Sequence, residues 1–445
     1  MRRNRETYRG RNDRALEDKK MTAKHGKSKM KLWQKILLGS LAFLVISAGG
    51  IFAYGTIVLH RTEDVMRSTF EELGLGSSKK SDDIIKATKP LTVLLMGIDT
   101  GDKTRADLWE GLSDTMIVMT INPQTNTTTM VSLERDMLTD VVDPDGDFLA
   151  TDKLNAAYSL GGTATAVATI QQQLGLDIDK YALINMNGLK DLVDAVGGID
   201  VNNTLDFPIS IEETEPDYTA TIESGVQHID GDQALVYARM RHQDPEGDIG
   251  RQARQREVIT QVVSKVLSLN SVANYEKILQ AVSGNMKTDF AVNAKSLTSL
   301  LGYKDAFKKM CSIKLQGVGE MIDGGSYQVM PENNLLSVQN ALRLSLGKSA
   351  KKSLSTGIVT FENYYGALST ETILPTILIT VDGQTTEKTL LTDGTQVTAD
   401  EAVEKSNTAT DDNEEAAGYY YYSYEDEPTQ ETNSESSSQQ YEPTD

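Results

Sequence analysis

Residues 36–59, ILLGSLAFLVISAGGIFAYGTIVL, run for 24 positions without a charged side chain. As a helix this segment would extend about 36 Å at 1.5 Å per residue, enough to cross the hydrocarbon of a bilayer with some tilt. Trp33 and Lys35 flank one end and His60 and Arg61 the other, where amphipathic and charged side chains sit among head groups. The run is longer than the apolar region of a cleaved signal peptide and lacks a small-x-small site in a polar flank, so the pattern predicts an uncleaved anchor. Residues 1–35 hold thirteen Lys or Arg against four Asp or Glu, a net of +9. The positive-inside rule keeps that arm cytoplasmic and puts everything after Arg61 outside the cell membrane.

Beyond the anchor the chain must fold as an acidic module without disulfides. The 445-residue chain has a formal charge of -20, with -12 in residues 401–445 alone, which excludes nucleic-acid binding through the general surface. Cys311 is the only cysteine and begins a strand-like stretch, CSIKL, so it is expected as a small buried residue. The segment 91–98, LTVLLMGI, is a continuous apolar run and predicts a strand covered on both faces. Strands are also expected at 115–121 and 127–133, separated by the turn-forming NPQTN. Helical patterns at 154–174 (broken at Gly161-Gly162), 188–196, 232–241, 251–269, 272–283, 294–302 and 332–346 are interleaved with short strands at 181–186, 199–203 and near 311–318. The polar excursion 205–223 is expected to be a surface loop or hairpin. This alternation predicts an α/β class: a layered αβα fold with a central mixed sheet, preceded by one transmembrane helix. The expected divisions are a basic arm at 1–35, the anchor at 36–59, a stalk and linker at 60–89, the main domain at 90–347, a small β-rich extension at 348–400 and a disordered acidic tail at 401–445.

Acids and arginines accumulate at the predicted ends of elements. Asp99 follows the first strand and Asp114 precedes the second, so an antiparallel pairing of the two would bring both carboxylates to one edge. Two carboxylates there could bind a hard cation, Mg2+ or else Mn2+, whose remaining positions suit phosphate oxygens and water. Taken alone, each Asp reads as a turn or cap residue before it reads as a ligand. Arg135 and Asp136 end the third strand on a rim that can be shared, and Lys153 and Asn155 follow. Arg239 and Arg241 close the YARMRH segment; Arg251, Arg254 and Gln255 are spaced to share a helix face, while Arg256 points elsewhere as a surface charge. Guanidiniums offer planar bidentate donation to phosphate, and several of them would neutralise a diphosphate. The alternative is an ion-pair network of Arg239, Arg241, Asp244, Asp248 and Arg251. The chain has neither a GxxxxGK[ST] motif nor a zinc-type Cys/His set.

These positions resemble the LytR-CpsA-Psr family of cell-envelope proteins. The resemblance runs through VLLMGID (93–99), SDTMIVMTINP (113–123), VSLERD (131–136), KLNAAYSLGG (153–162), DLVDAVGGIDV (191–201), GDQALVYARMRH (231–242) and DIGRQARQREVI (248–259). It implies a phosphotransferase that moves an anionic glycopolymer, a teichoic acid or capsular polysaccharide, from an undecaprenyl-diphosphate carrier to peptidoglycan. By resemblance, Asp99 and Asp114 hold Mg2+. Arg135, Arg239, Arg241, Arg251 and Gln255 hold the diphosphate, and Asp136 and Asp248 orient arginines or assist the acceptor hydroxyl. Arg105, Lys153, Asn155 and Arg254 are further candidate contacts to the carrier. The chain departs from the family pattern with Glu134 where Pro is common, Met137 where Thr is common, and Arg105 as the nearest arginine after Asp99. Hydrolysis of the lipid-linked precursor and noncatalytic polymer binding are the competing readings.

Overall fold

The apolar run 91–98 forms β1 (Leu91–Ile98), whose side chains divide between two cores. Leu94, Met96 and Ile98 enter the larger core and Leu91 and Val93 a smaller one on the opposite side. A strand with no polar face is stable here because both faces are covered. β2 (Ser113–Asn122) and β3 (Thr127–Ser132) continue as an antiparallel meander, with Asn122 Oδ1 accepting from the backbone N–H of Gln124 to close the turn.

The computed structural model describes residues 88–101, 109–268, 272–290, 302–367 and 373–402. The basic arm, the 36–59 segment, most of the stalk, Arg105, nearly all of the 294–302 pattern and the tail from 403 lie outside the described residues. Among the described residues no helix is long and apolar enough to cross a membrane.

After β3 comes a hairpin of β4 (Leu138–Val142) and β5 (Phe148–Lys153), and then α1 (Ala156–Leu174), which breaks at Gly161 and Gly162. Gly162 has φ +69°, a conformation that side chains with a Cβ rarely adopt, so the break expected from the Gly-Gly pair is a backbone necessity. β6 (Lys180–Ile184), α2 (Met186–Ala195), β7 (Ile199–Asn203), β8 (Gly225–Ile229), α3 (Gly231–Arg239), α4 (Asp248–Ser268), α5 (Val272–Val282) and β9 (Met286–Thr288) come next. A 3-10 turn at Lys304–Lys308 leads into β10 (Lys309–Lys314), the hairpin β11 (Val318–Ile322) and β12 (Gly325–Val329), and α6 (Glu332–Ser345). α7 (Phe361–Tyr365), β13 (Thr376–Val381), β14 (Gln384–Leu390) and β15 (Gln396–Val397) complete the order.

Nine strands form one sheet in the order β15-β14-β13-β10-β3-β2-β1-β6-β9. β1 runs parallel to β6 and β3 parallel to β10, while the remaining neighbours are antiparallel, so the sheet is mixed. α1 and α6 cover one face with Val167, Ile170, Leu174, Leu335, Val338 and Leu342. On the other, Ile259 of α4 packs with Tyr303 and Ala306. A third core joins α2, α3 and α4 to β7 and β8 through Val193, Ile229, Val236 and Val258. The result is an αβα domain around a central mixed sheet.

Two regions contribute more to the cores than their composition suggests, the first of them as an antiparallel excursion of the expected loop or hairpin kind. The excursion 205–223 is anchored in the third core by Ile209, Ile211 and Ile222, and Ile209 and Ile222 exchange backbone hydrogen bonds of 2.9 and 3.0 Å. Its polar residues mask an apolar ISI spacing whose two isoleucines turn inward. The strands after Gly347 join the same sheet: β13 pairs with β10, and Ile377 and Leu390 are buried in the main core. Ile377→Ala removes a side chain only 1% exposed there. It is expected to cost about 2–4 kcal/mol, read as a lower denaturant midpoint.

Candidate active site

The β1–β2 pairing ends at Ile98↔Ser113 with a register shift after Gly97, and this irregular end brings Asp99 and Asp114 to one edge. Asp99 is fixed locally: its backbone N–H donates to Leu112 O (3.3 Å) and its Oδ1 accepts from Leu112 N–H (3.0 Å). A Cβ at position 111 would lie 2.6 Å from that Oδ1, so Gly111 is required by the close approach. Asp114 Oδ2 lies 3.1 Å from Arg135 Nη1, and Asp114 Oδ1 lies 3.4 Å from Asn155 Nδ2. Among the described residues no group of three or more His, Cys, Asp or Glu side chains is arranged to hold a metal.

Arg135 also faces Asp136 (Nε to Oδ2, 3.4 Å), and Asp136 Oδ1 accepts from Lys153 Nζ at 2.7 Å. Burial opposes the charge of Arg135, but Asp114, Asp136 and Asp248 outweigh it and hold the guanidinium above its ordinary value. Arg251 is the converse. Burial lowers it, and although Asp248 at 2.8 Å opposes the fall, Arg135 and Arg241 add like-charge repulsion. Its Nε is buried with no hydrogen-bond partner among the described residues.

α3 ends at Arg239 because Met240 leaves helical geometry (φ -56°, ψ 131°). The carbonyls exposed there are taken up by α4: Arg254 donates to Tyr237 O (2.9 Å) and Met240 O and pairs with Asp244, while Gln255 Nε2 donates to Ala238 O (3.3 Å). Arg239 pairs with Glu215 and lies 5.1 Å over the Tyr218 ring.

A cavity of about 700 Å3 opens at this edge. Asp99, Asp114, Arg135, Arg239, Arg241, Arg251 and Gln255 all line it. Its other walls are largely apolar, with Leu95, Ile184, Leu189, Leu192, Val258 and Val262 among them. Asp136, Lys153, Asn155 and Asp248 stand behind the lining and connect to it through Arg135, Asp114 and Arg251. Arg254 faces away, spent on the end of α3, and Arg105 is outside the described residues. Arg256 is not a surface charge: it is 4% exposed and donates to Ser132 Oγ at 2.8 Å beneath the site. Burial lowers its guanidinium to about 10, with Glu134 and Glu246 opposing the fall. The excursion 205–223 adds Ile211, Glu215 and Tyr218 to the cavity wall, and only its ISI spacing hints that the segment is anchored.

Similarity to known proteins agrees with this geometry. The LytR_cpsA_psr family profile matches residues 60–344. The chain belongs to that family. It is 48% identical over 341 residues to the "Biofilm regulatory protein A" of Streptococcus mutans, covering 76% of this chain and 83% of that protein. It is 44% identical over 311 residues to an Enterococcus faecalis protein named polyisoprenyl-teichoic acid–peptidoglycan teichoic acid transferase TagU, covering 70% of this chain and 96% of that one. A crystal structure of a Streptococcus agalactiae protein, 49% identical, superposes with a TM-score of 0.59 over 65% of this chain and 98% of the other.

Glu134, where the family commonly has proline, sits 5% exposed beneath the arginines. Burial pushes its carboxyl up to about 7, Asp248 adds to the rise, and Gln252 and Arg251 oppose it. From the ordinary 4.5 up to about 7 the folded protein holds a proton here that the unfolded chain releases. Stability therefore falls as pH rises through this window and the contribution is gone above it, a loss on the order of 3 kcal/mol. Glu134→Gln should flatten that dependence in urea unfolding compared at about pH 5 and about pH 7.5.

Proposed function

We propose that this protein is a membrane-anchored, extracellular phosphotransferase that moves an anionic glycopolymer from a polyprenyl-diphosphate carrier to peptidoglycan. The observation that carries this reading is one cavity with two chemistries: arginines and carboxylates at one edge, and beyond it a mainly apolar wall interrupted by Glu213, Glu215 and Asp217 of the 205–223 excursion. A ligand joining a strong anion to a long hydrocarbon matches both. The E. faecalis relative's name describes that type of transfer. Residues 36–59 would keep the domain beside a lipid substrate that stays in the bilayer.

In the proposed reaction the acceptor hydroxyl oxygen attacks the phosphorus that bears the polymer. The new O–P bond forms as the bond from that phosphorus to the bridging oxygen breaks, and polyprenyl phosphate leaves with the electron pair. The hydroxyl proton passes to solvent or to a carboxylate at the rim. Arg135, Arg239, Arg241 and Arg251 would stabilise charge building on the phosphoryl oxygens and the leaving phosphate. Asp136 and Asp248 hold Arg135 and Arg251 in place through ion pairs at 3.4 and 2.8 Å. Asp99 and Asp114 are a carboxylate pair of the kind that suits Mg2+ or Mn2+ when phosphate oxygens and water complete the shell. Such a cation would add charge neutralisation at the diphosphate. Because Asp114 also contacts Arg135 and Asn155, it would serve the cation and the guanidinium together.

The test incubates the full-length protein with lipid-diphosphate polymer, peptidoglycan and Mg2+ and analyses products by mass. A new phosphodiester is expected, and free phosphorylated polymer without it would indicate hydrolysis instead. Asp99→Ala and Arg241→Ala should each lower transfer about a hundredfold or more with the fold retained. Wild-type rates in both would overturn the assignment. Val262→Trp, which fills the apolar wall, should raise KM about tenfold for a long-chain carrier and leave a short-chain diphosphate almost unaffected.

A further inference from the structure

Beyond the cavity, a second surface is built against the same catalytic edge. Gln328 of β12 donates its backbone N–H to Asp136 O at 2.9 Å, so the β11–β12 hairpin is tied directly to the residue that orients Arg135. From this hairpin Tyr327 lies with its ring centroid 5.3 Å from Lys153 Nζ, and its hydroxyl donates to Asp152 at 3.4 Å. Tyr327 and Phe361 pack on one small core of Leu138, Val329 and Val359, which places α7 beside the hairpin. The Tyr365 ring stands 4.7 Å from Phe361 and 4.9 Å from Tyr364, and Tyr365 hydrogen-bonds Glu320 of β11. Tyr364 and Tyr365 are nevertheless 44% and 42% exposed, with Met321 on the hairpin at 68%.

Tyrosine, with an apolar ring and a polar tip, is enriched at binding interfaces. Such rings present a negative π face to the slightly positive C–H faces of pyranose sugars, while phenolic and carboxylate oxygens accept from sugar hydroxyls. The acids around the rings, Asp152, Glu320 and Asp323, disfavour a polyanion there and leave an uncharged glycan as the better match. In-line displacement requires the acceptor to approach opposite the leaving polyprenyl phosphate. If the tail occupies the apolar interior, that approach comes from outside the cavity, past Arg135 and Lys153, where Tyr327 stands and from which Phe361 leads on to Tyr364 and Tyr365. α7 lies beyond residue 344, where the family match ends.

We propose that Tyr327, Tyr364 and Tyr365 form a docking shelf for the peptidoglycan glycan strand that supplies the acceptor hydroxyl. This rests on the phosphotransfer reading for its purpose but not for its binding chemistry. The test uses full-length protein in detergent micelles, titrated with glycan strands whose muramyl carboxyls are capped as amides, as the stem peptides cap them in the wall, with free teichoic acid and with a short-chain polyprenyl diphosphate. The Y364A/Y365A protein should bind glycan strands about tenfold more weakly and the diphosphate as wild type does. Y364W/Y365W, which keeps the rings, should bind glycan within about threefold of wild type, separating stacking from a local loss of α7. Unchanged glycan affinity in the alanine protein, no glycan binding by wild type, or a loss confined to teichoic acid would each overturn the shelf. Tyrosine-dependent glycan binding in a protein that takes no polyprenyl diphosphate would keep the shelf and remove the phosphotransfer reading.

Discussion

The antiparallel pairing of β1 with β2 is the constraint on which the site depends. It brings Asp99 and Asp114, fifteen positions apart in sequence, to one edge, and its irregular end after Gly97 opens that edge to the cavity. β3 then carries Arg135 to the same edge by pairing with β2. The strands can hold charged groups there because their remaining side chains are buried on both faces, which makes the sheet rigid where the ligand would meet it.

Behind the lining, charge is satisfied in layers. Asp136 and Lys153 support Arg135, Asp248 supports Arg251, and Glu134 and Arg256 lie deeper still. An unpaired buried guanidinium would be costly, so Arg135, Arg251 and Arg254 each have a carboxylate within reach. Arg239 makes the same point at the mouth, where Glu215 holds it. Carboxylates at the site thus hold the arginines in orientation, and in the proposed reaction a diphosphate would replace part of a network already in place.

Much of this is legible in the sequence. The apolar run of β1, the NPQTN turn and the Gly161-Gly162 break are local signals, and the structure follows them. Placing Asp99, Asp114 and Arg135 at strand ends is enough to anticipate a shared edge. Side-chain direction is less accessible. Helical spacing puts Arg251, Arg254 and Gln255 on one face, but the carbonyls left bare at Met240 turn Arg254 to the end of α3. Arg256 reads as a surface charge because nothing local to it reveals Ser132, more than a hundred positions earlier. The hairpins β4–β5 and β11–β12 and the inward isoleucines of 205–223 are obscured by polar neighbours.

The outermost strands of the large sheet are its shortest: β9 has three residues and β15 has two. A longer border would offer a row of free amides and carbonyls as a template for another chain's backbone. β15 covers only Thr389 and Leu390 of β14, however, so among the described residues Gln384–Lys388 keeps an exposed outer margin, where Glu387 and Lys388 supply the kind of charge that discourages a neighbouring strand from adding.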